Sequence, residues 1–326
     1  GLKPSGVYVR KGSSSQPVSD EAIREFIIQT SGISYETRRS MNQNLSFVSF
    51  MKKMKERNLD VGVSQFRTLH LIGEDGLYTN LALLLSDQCE HTLKLAVFQG
   101  TDKAVFRDRK EFCGSILKQL DEMYAAIDQY NKTKSTINGL YRTDKRDYDE
   151  ESLREALLNC IVHRDYSFSA STLINIYDDR IEFVSLGGLV KGLSMEAIYM
   201  GVSQSRNPNL AAVFYRMKLI ESYGTGIGKI RRAYKDFSVK PIFESADGAF
   251  RLTLPNRNAV EDAVSESDMT ELVIAYIKEN DSISRLEAEK LTGLKSTAAY
   301  KLLKELCANH RIKSIGKGRN TKYVLK

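Results

Sequence analysis

The chain has 326 residues, 42% of them hydrophobic, and a formal net charge of +7. That length predicts two or three domains with sizeable cores. The four cysteines (Cys89, Cys113, Cys160, Cys307) and four histidines (His70, His91, His163, His310) are dispersed without C-x-x-C spacing, which argues against a disulfide framework or a zinc site and for reduced, cytoplasmic thiols. No apolar run approaches the roughly 18 residues of a membrane helix, and no signal-peptide pattern opens the chain. No membrane partner is expected, and no flavin or NAD site.

The charge is unevenly placed. Residues 268–326 hold 12 Lys and Arg against 7 Asp and Glu, so most of the excess lies in this last segment. A basic terminal module on a near-neutral body fits a polyanionic partner such as nucleic acid; a solvated basic surface is the plainer alternative.

In chain order, residues 6–15 read as a strand entering a Ser-rich turn. Residues 20–30 read as a helix, with Asp20 as N-cap and Ala22, Ile23, Phe26 and Ile27 at core spacing. A second helix is expected over residues 47–57, and a short buried one over 79–85. Residues 93–99 suit a strand. Residues 111–131 carry Phe112, Ile116, Leu117, Leu120, Met123 and Ile127, an amphipathic helical pattern. This half is mixed α/β, and nothing in it singles out a catalytic group.

Residues 155–166 predict a helix with chemistry on it. Glu155, Asn159 and His163 recur every four residues and form one polar stripe, opposite Leu153, Ala156, Leu157, Cys160 and Ile161. An amide oxygen can ligate Mg²⁺, and a carboxylate one turn away can orient or deprotonate a water. An outward face using Glu and Asn for solubility is the plain alternative. Residues 172–177 and 180–184 alternate like two strands joined at Asp178 and Asp179. Helices are expected near 195–200 and 210–217. Then Gly224, Thr225, Gly226 and Gly228 form a glycine-rich turn running into a helix. Such a turn can cradle phosphates on backbone N–H groups, or simply serve a tight strand–helix junction. Residues 256–267 are polar and read as a linker.

The final segment predicts three helices and a hairpin. Residues 269–278 are helical, Ser284 and Glu287 form a capping box, residues 292–294 turn, and Ser296 caps a third helix running to about 308. Two short strands, 312–315 and 323–325, flank a basic tip over 316–320. This is a compact winged helix-turn-helix plan. Lys295, Ser296, Thr297, Tyr300, Lys301 and Lys304 lie near the start or on one side of the third helix. Lys317, Arg319 and Lys322 would place charge on the wing. These residues suit double-stranded DNA; a protein-interaction module is the alternative.

Several motifs together carry a resemblance. They are residues 154–159 and 163–166, residues 179–183, residues 186–189, residues 205–208, and Glu221 with the glycine turn over 224–228. In this order and spacing the chain resembles the C-terminal ATPase-like domain of the RecG-like transcriptional regulators, within the wider gyrase, histidine-kinase and MutL type of ATP-binding fold. The resemblance implies an α+β architecture: residues 1–19 as a remnant of an N-terminal AlbA-type domain, 20–145 as a mixed α/β domain, 146–255 as a degenerate ATPase-like α/β sandwich, and 268–326 as the winged helix. It implies ATP with Mg²⁺ as ligand, Glu155 as the catalytic base and Asn159 as the metal ligand. Gly187, Gly188, Arg206, Gly224, Thr225, Gly226 and Gly228 would surround the nucleotide. Arg206 would contact a phosphate or else belong to a surface turn before an N-cap at Asn209. The Asp that reads the adenine amino group in the wider fold is missing before Gly187. His163, Arg164 and Asp165 suit a structural hydrogen-bonding role; position 170 is alanine, so no kinase catalytic loop is formed, and no P-loop is present. The expectation is a nucleotide-modulated DNA-binding regulator; winged-helix regulators commonly pair on two half-sites, so a homodimer is one arrangement open to it, and no sequence feature fixes the oligomeric state. An active ATPase and a ligand-free dimerising scaffold are the alternatives.

Overall fold

The computed structural model describes residues 6–19, 23, 34–59, 61–221, 224–237, 239–294, 296–316 and 321–326. The helix expected over residues 20–30 lies outside these residues except for Ile23, and so do Lys295, Lys317 and Arg319. The chain divides into two compact units, Gly1–Asn256 and Arg257–Lys326.

The first unit begins with a hairpin of β1 (Tyr8–Lys11) and β2 (Ser14–Pro17). Among the described residues, the α-helices α1 (Val48–Glu56), α2 (Val63–Thr68) and α3 (Asn80–Leu85) follow. Thr79 caps α3 by accepting from the Ala82 amide, and every residue from Leu81 to Leu85 is buried. Next come β3 (Leu93–Gln99), β4 (Val105–Phe112), α4 (Ile116–Tyr130), and a hairpin of β5 (Thr133–Asn138) and β6 (Tyr141–Arg146). The helix expected from residue 111 thus starts later. Glu111 and Phe112 close β4, and Gly114, at φ +85°, breaks the chain before the helix can begin.

Helix α5 (Glu150–Val162) leads into β7 (Thr172–Ile176) and β8 (Arg180–Leu186), then α6 (Met195–Tyr199), α7 (Pro208–Arg216), α8 (Gly226–Ala233), β9 (Ile242–Ala246) and β10 (Ala249–Pro255). One sheet in the order β4-β3-β7-β8-β10-β9 joins these to the earlier half. Its pairs are antiparallel except β3 with β7, where Leu93 faces Thr172. A parallel pair needs a long crossover, here running through α4, the β5–β6 hairpin and α5. The boundary expected at 145/146 is therefore bridged by a single sheet. One core spans it, from Phe47 and Phe50 through Leu95 and Met123 to Leu157, Phe183, Phe214 and Leu254. The architecture is α+β.

The second unit holds α9 (Arg257–Asn280), β11 (Ile283–Ser284), α10 (Arg285–Thr292), α11 (Ser296–Ala308), β12 (Ile312–Ile315) and β13 (Lys322–Leu325). Its sheet order is β11-β13-β12, all antiparallel. Residues 256–267, expected as a linker, are helical from Arg257 onward. They contain no Gly or Pro and several good helix formers, so polarity alone is a poor sign of a break. Ser284 and Glu287 form the expected reciprocal capping box, and Gly293 ends α10 at φ +70°. A separate core gathers Val273, Ile277, Ile283, Leu303, Ile312 and Tyr323.

Candidate functional site

Helix α5 supplies one wall of a cavity. Asp149 caps it by accepting from the Ser152 amide at 2.9 Å, and Glu150 and Glu151 in its first turn complement the helix dipole. Leu153, Ala156, Leu157 and Ile161 bury its inner face. Glu155 and Asn159 stand one turn apart as the spacing predicts, yet they are not a solvated face. Both line the cavity, and Asn159 Nδ2 donates to Glu155 Oε1 at 3.1 Å. Burial pushes the Glu155 carboxyl above its ordinary range, against the opposing pull of Asn159, Arg154 and Lys229. The amide's donor end is used on Glu155, so its oxygen is the end a Mg²⁺ ion would take.

The helix does not run to Tyr166. It stops at Val162, with His163 as C-cap, because Arg164 turns into the protein. The Arg164 side chain is buried and donates to the carbonyls of Thr92, Phe168 and Ala170 and to Thr172 Oγ1. Its Nη2 also lies 3.2 Å from His91 Nδ1. Asp165 accepts from the amide of Ser167 and pairs with Arg206 at 3.1 Å. His163 lines the cavity, and burial lowers its pKa, favouring the neutral ring.

The opposite wall is the glycine turn. Gly224 adopts φ +63°, and a Cβ added there would overlap the Gly201 carbonyl. Gly226, first residue of α8, has an ordinary φ but lies hard against Glu155; a Cβ there would overlap the carboxylate. Glycine lets the two walls approach closely here; any larger residue would make the Glu155 side chain shift. The cavity has a volume of about 500 Å³. It brings together Glu155, Asn159, Gly187, Gly188, Gly224, Thr225 and Gly226. Leu189, Leu193, Ile198, Val202, Phe243, Phe250 and Leu252 give it a largely apolar interior, and Cys160 and Ser185 also line it. Volume and lining are those of a small-molecule site.

Two expected site residues sit elsewhere. Gly228 does not line the cavity, and an added Cβ would meet open space. Arg206 does not line it either. Its guanidinium bonds Asp165 and donates to the Gly188 carbonyl at 2.9 Å, clasping the segment after α5 to the loop after β8. The N-cap of α7 is Asn207, not Asn209. Asn207 Nδ2 donates to the carbonyls of Val162 and Arg164. The α7 amides of Asn209 and Leu210 instead bind the buried carboxylate of Glu36, at 2.7 and 2.8 Å. No local signal marks Glu36, because its partners lie more than 170 residues away. Among the described residues, no group of three or more His, Cys, Asp or Glu could hold a metal ion. A Mg²⁺ here would rest on Asn159 and on phosphates carried by the ligand, its usual manner of binding.

In the second unit, Ser296, Thr297, Tyr300, Lys301 and Lys304 all lie on the exposed side of α11, opposite Ala299, Leu302, Leu303 and Leu306. Lys304 Nζ sits over the Tyr300 ring at 5.4 Å, and Lys301 pairs with Glu305 at 3.5 Å. Lys322 is exposed at the start of β13.

Residues 170–254, about a quarter of the chain, match the family model described as "Putative ATP-dependent DNA helicase recG C-terminal". The match runs from just before β7 to the end of β10. It takes in the glycine wall and much of the apolar lining, but not α5 with Glu155 and Asn159. The chain is also similar to the crystal structure of the DIP2311 protein from Corynebacterium diphtheriae, at TM-score 0.61 and 18% identity over 98% of this chain and 70% of that one. At that identity the likeness is one of fold. No curated protein matches. The chain is thus linked through part of its length to an ATPase-associated domain. No helix among the described residues is long and apolar enough to cross a membrane.

Proposed function

We propose that this protein is a DNA-binding transcriptional regulator of the RecG-like kind, whose body binds an adenine nucleotide with Mg²⁺ as a conformational signal. The observation that carries the reading is the cavity itself, with the Glu155–Asn159 pair on one wall and the Gly224–Gly226 turn closed against it on the other. Glycine at that approach allows backbone amides at the start of α8 to face a phosphate, where the helix dipole favours negative charge. The ATPase-associated family match over the glycine wall supports the same ligand. In this reading the second unit is a winged helix, with α11 in the major groove and the β12–β13 hairpin as wing. The basic excess over residues 268–326 and the exposed Ser296, Thr297, Tyr300, Lys301 and Lys304 support that assignment. Glu155, half-buried and raised in pKa, has the character of a general base. Slow hydrolysis is therefore a second outcome the same site can give.

The test is calorimetric titration of the full chain with ATP and ADP, with and without Mg²⁺, together with phosphate release. Mg²⁺-dependent binding is the expected result. No binding at millimolar ATP refutes the nucleotide reading and leaves the ligand-free scaffold.

A further inference from the structure

Three basic side chains line the cavity among the described residues: Arg154, His163 and Lys229. Two of them are less free to meet a polyphosphate than the third. The Arg154 guanidinium donates to the backbone carbonyl of Leu219, and burial favours the neutral form of His163. Lys229 differs. It lies three residues beyond Gly226 on α8, and its Nζ is 3.0 Å from Glu221 Oε1 and 3.1 Å from Glu151 Oε1. Both partners are side-chain carboxylates more than half exposed, whereas the lysine side chain is only 18% exposed. Glu221 precedes the glycine turn, and Glu151 sits one turn before Glu155 on α5. The ammonium group therefore ties the two walls of the cavity together at their edge.

An ion pair of this kind is exchangeable. Exposed carboxylates regain hydration on release, so the pair is worth little by itself. A phosphate oxygen offers the lysine the same charge-assisted bond at higher charge density. Among the described residues, the ammonium group need only leave two flexible side chains, with no backbone hydrogen bond to break.

Resting on the nucleotide reading above, we propose that Lys229 is the phosphate-contacting cation of the cavity, and that Glu221 and Glu151 hold it in reserve as internal competitors of the ligand. In the unliganded protein the two carboxylates occupy the ammonium group. A bound di- or triphosphate takes it over, and the tie between α5 and the glycine turn is exchanged for one through the ligand. The site thereby reports phosphate number: ligands lacking phosphates leave the internal pair intact, and those bearing them break it.

The experiment compares ATP, ADP and adenosine, each with Mg²⁺, on wild type, Lys229→Gln, Lys229→Arg and Glu221→Gln. Lys229→Gln is expected to lower ATP affinity by about tenfold or more, the scale of a bond to a charged group, while adenosine affinity stays unchanged. Lys229→Arg keeps the preference for ATP. Glu221→Gln removes one competitor and raises ATP affinity without affecting adenosine. Glu221 is exposed, so this variant stays folded and carries the test if the lysine variants do not. Equal losses for ATP and adenosine in Lys229→Gln, or weaker ATP binding in Glu221→Gln, would mean the lysine is only a structural tie and would overturn the proposal. If wild type binds adenosine and ATP equally, the proposal fails while the cavity reading stands. If it binds neither, both fall.

Discussion

Gly226 offers a sharp test of the site's geometry, because Gly228, two residues on in the same helix, is its control. Replacing glycine by alanine within a helix ordinarily stabilises it by up to about 1 kcal/mol, through the smaller entropy lost on folding. Gly228→Ala should show that gain, since its new methyl group meets open space and its φ is not positive. Gly226→Ala has the same intrinsic gain, but its methyl group overlaps the Glu155 carboxylate. The carboxylate must move, and moving it away from Asn159 Nδ2 breaks a half-buried hydrogen bond. Losing a hydrogen bond to a charged group costs about 1.5–3 kcal/mol. Gly226→Ala should therefore be less stable than Gly228→Ala by about 1–3 kcal/mol. A unit of this size shifts by about 2–4 °C per kcal/mol, so the two melting curves should separate by several degrees. Urea titration of both variants gives the same difference directly. The cycle is closed with Glu155→Ala: in its background the Gly226→Ala penalty should vanish, which isolates the clash as the coupling between the two positions. Equal stability of the two alanine variants would refute the close approach. A penalty that survives removal of Glu155 would refute its cause.

Asn159→Ala should weaken Mg²⁺–ATP binding by about tenfold, one contact to a charged group, while Glu155→Ala leaves binding largely intact and abolishes phosphate release; calorimetry and a phosphate assay separate the two. His91 is buried beside Arg164 and its pKa is held down to about 4. A depressed folded pKa gives a stability contribution that is complete above the unfolded value near 6.5 and is lost as pH falls through 4. His91→Gln should thus flatten the loss of stability between pH 6.5 and 4 by up to about 3 kcal/mol, read from urea midpoints across that range; parallel wild-type and variant curves would contradict it. Lys301→Ala and Lys304→Ala should each weaken binding to all duplexes alike and reduce the slope of log K against log salt by about 0.9, whereas Thr297→Ala should change preference between sequences, as fluorescence anisotropy on a set of duplexes would show. Unchanged salt slopes in both lysine variants would turn the face of α11 toward protein contacts.

What could be read in advance follows the range of the interactions involved. Helix α5, the β7–β8 hairpin and the capping box at Ser284 are set by residues within a few positions of one another, and periodicity exposes them. The pairing of Glu155 with Asn159 is of this kind: a four-residue spacing already places them side by side. Its burial is not local. Whether that stripe meets water or a cavity depends on Gly226, some seventy residues on, and on a contact only the folded backbone makes. Arg206 shows the reverse error of range. A motif suggests a phosphate ligand, but Asp165 and the Gly188 carbonyl, brought in from two other segments, already engage the guanidinium. Glu36 at the start of α7 leaves no trace in composition or spacing, because a carboxylate capping a helix from so far away looks like any other acidic residue. The same reasoning explains the helical stretch after Pro255: charge density reads as solvation, but without Gly or Pro nothing in the chain stops a helix. Lys229 unites both lessons. Its place directly after the glycine turn is local and visible, while its pairing with Glu151 across the site appears only once α5 and α8 are packed together. The function proposed for this cavity therefore rests on contacts between elements, and substitutions at Gly226, Glu221 and Lys229 probe it more directly than changes within any single motif.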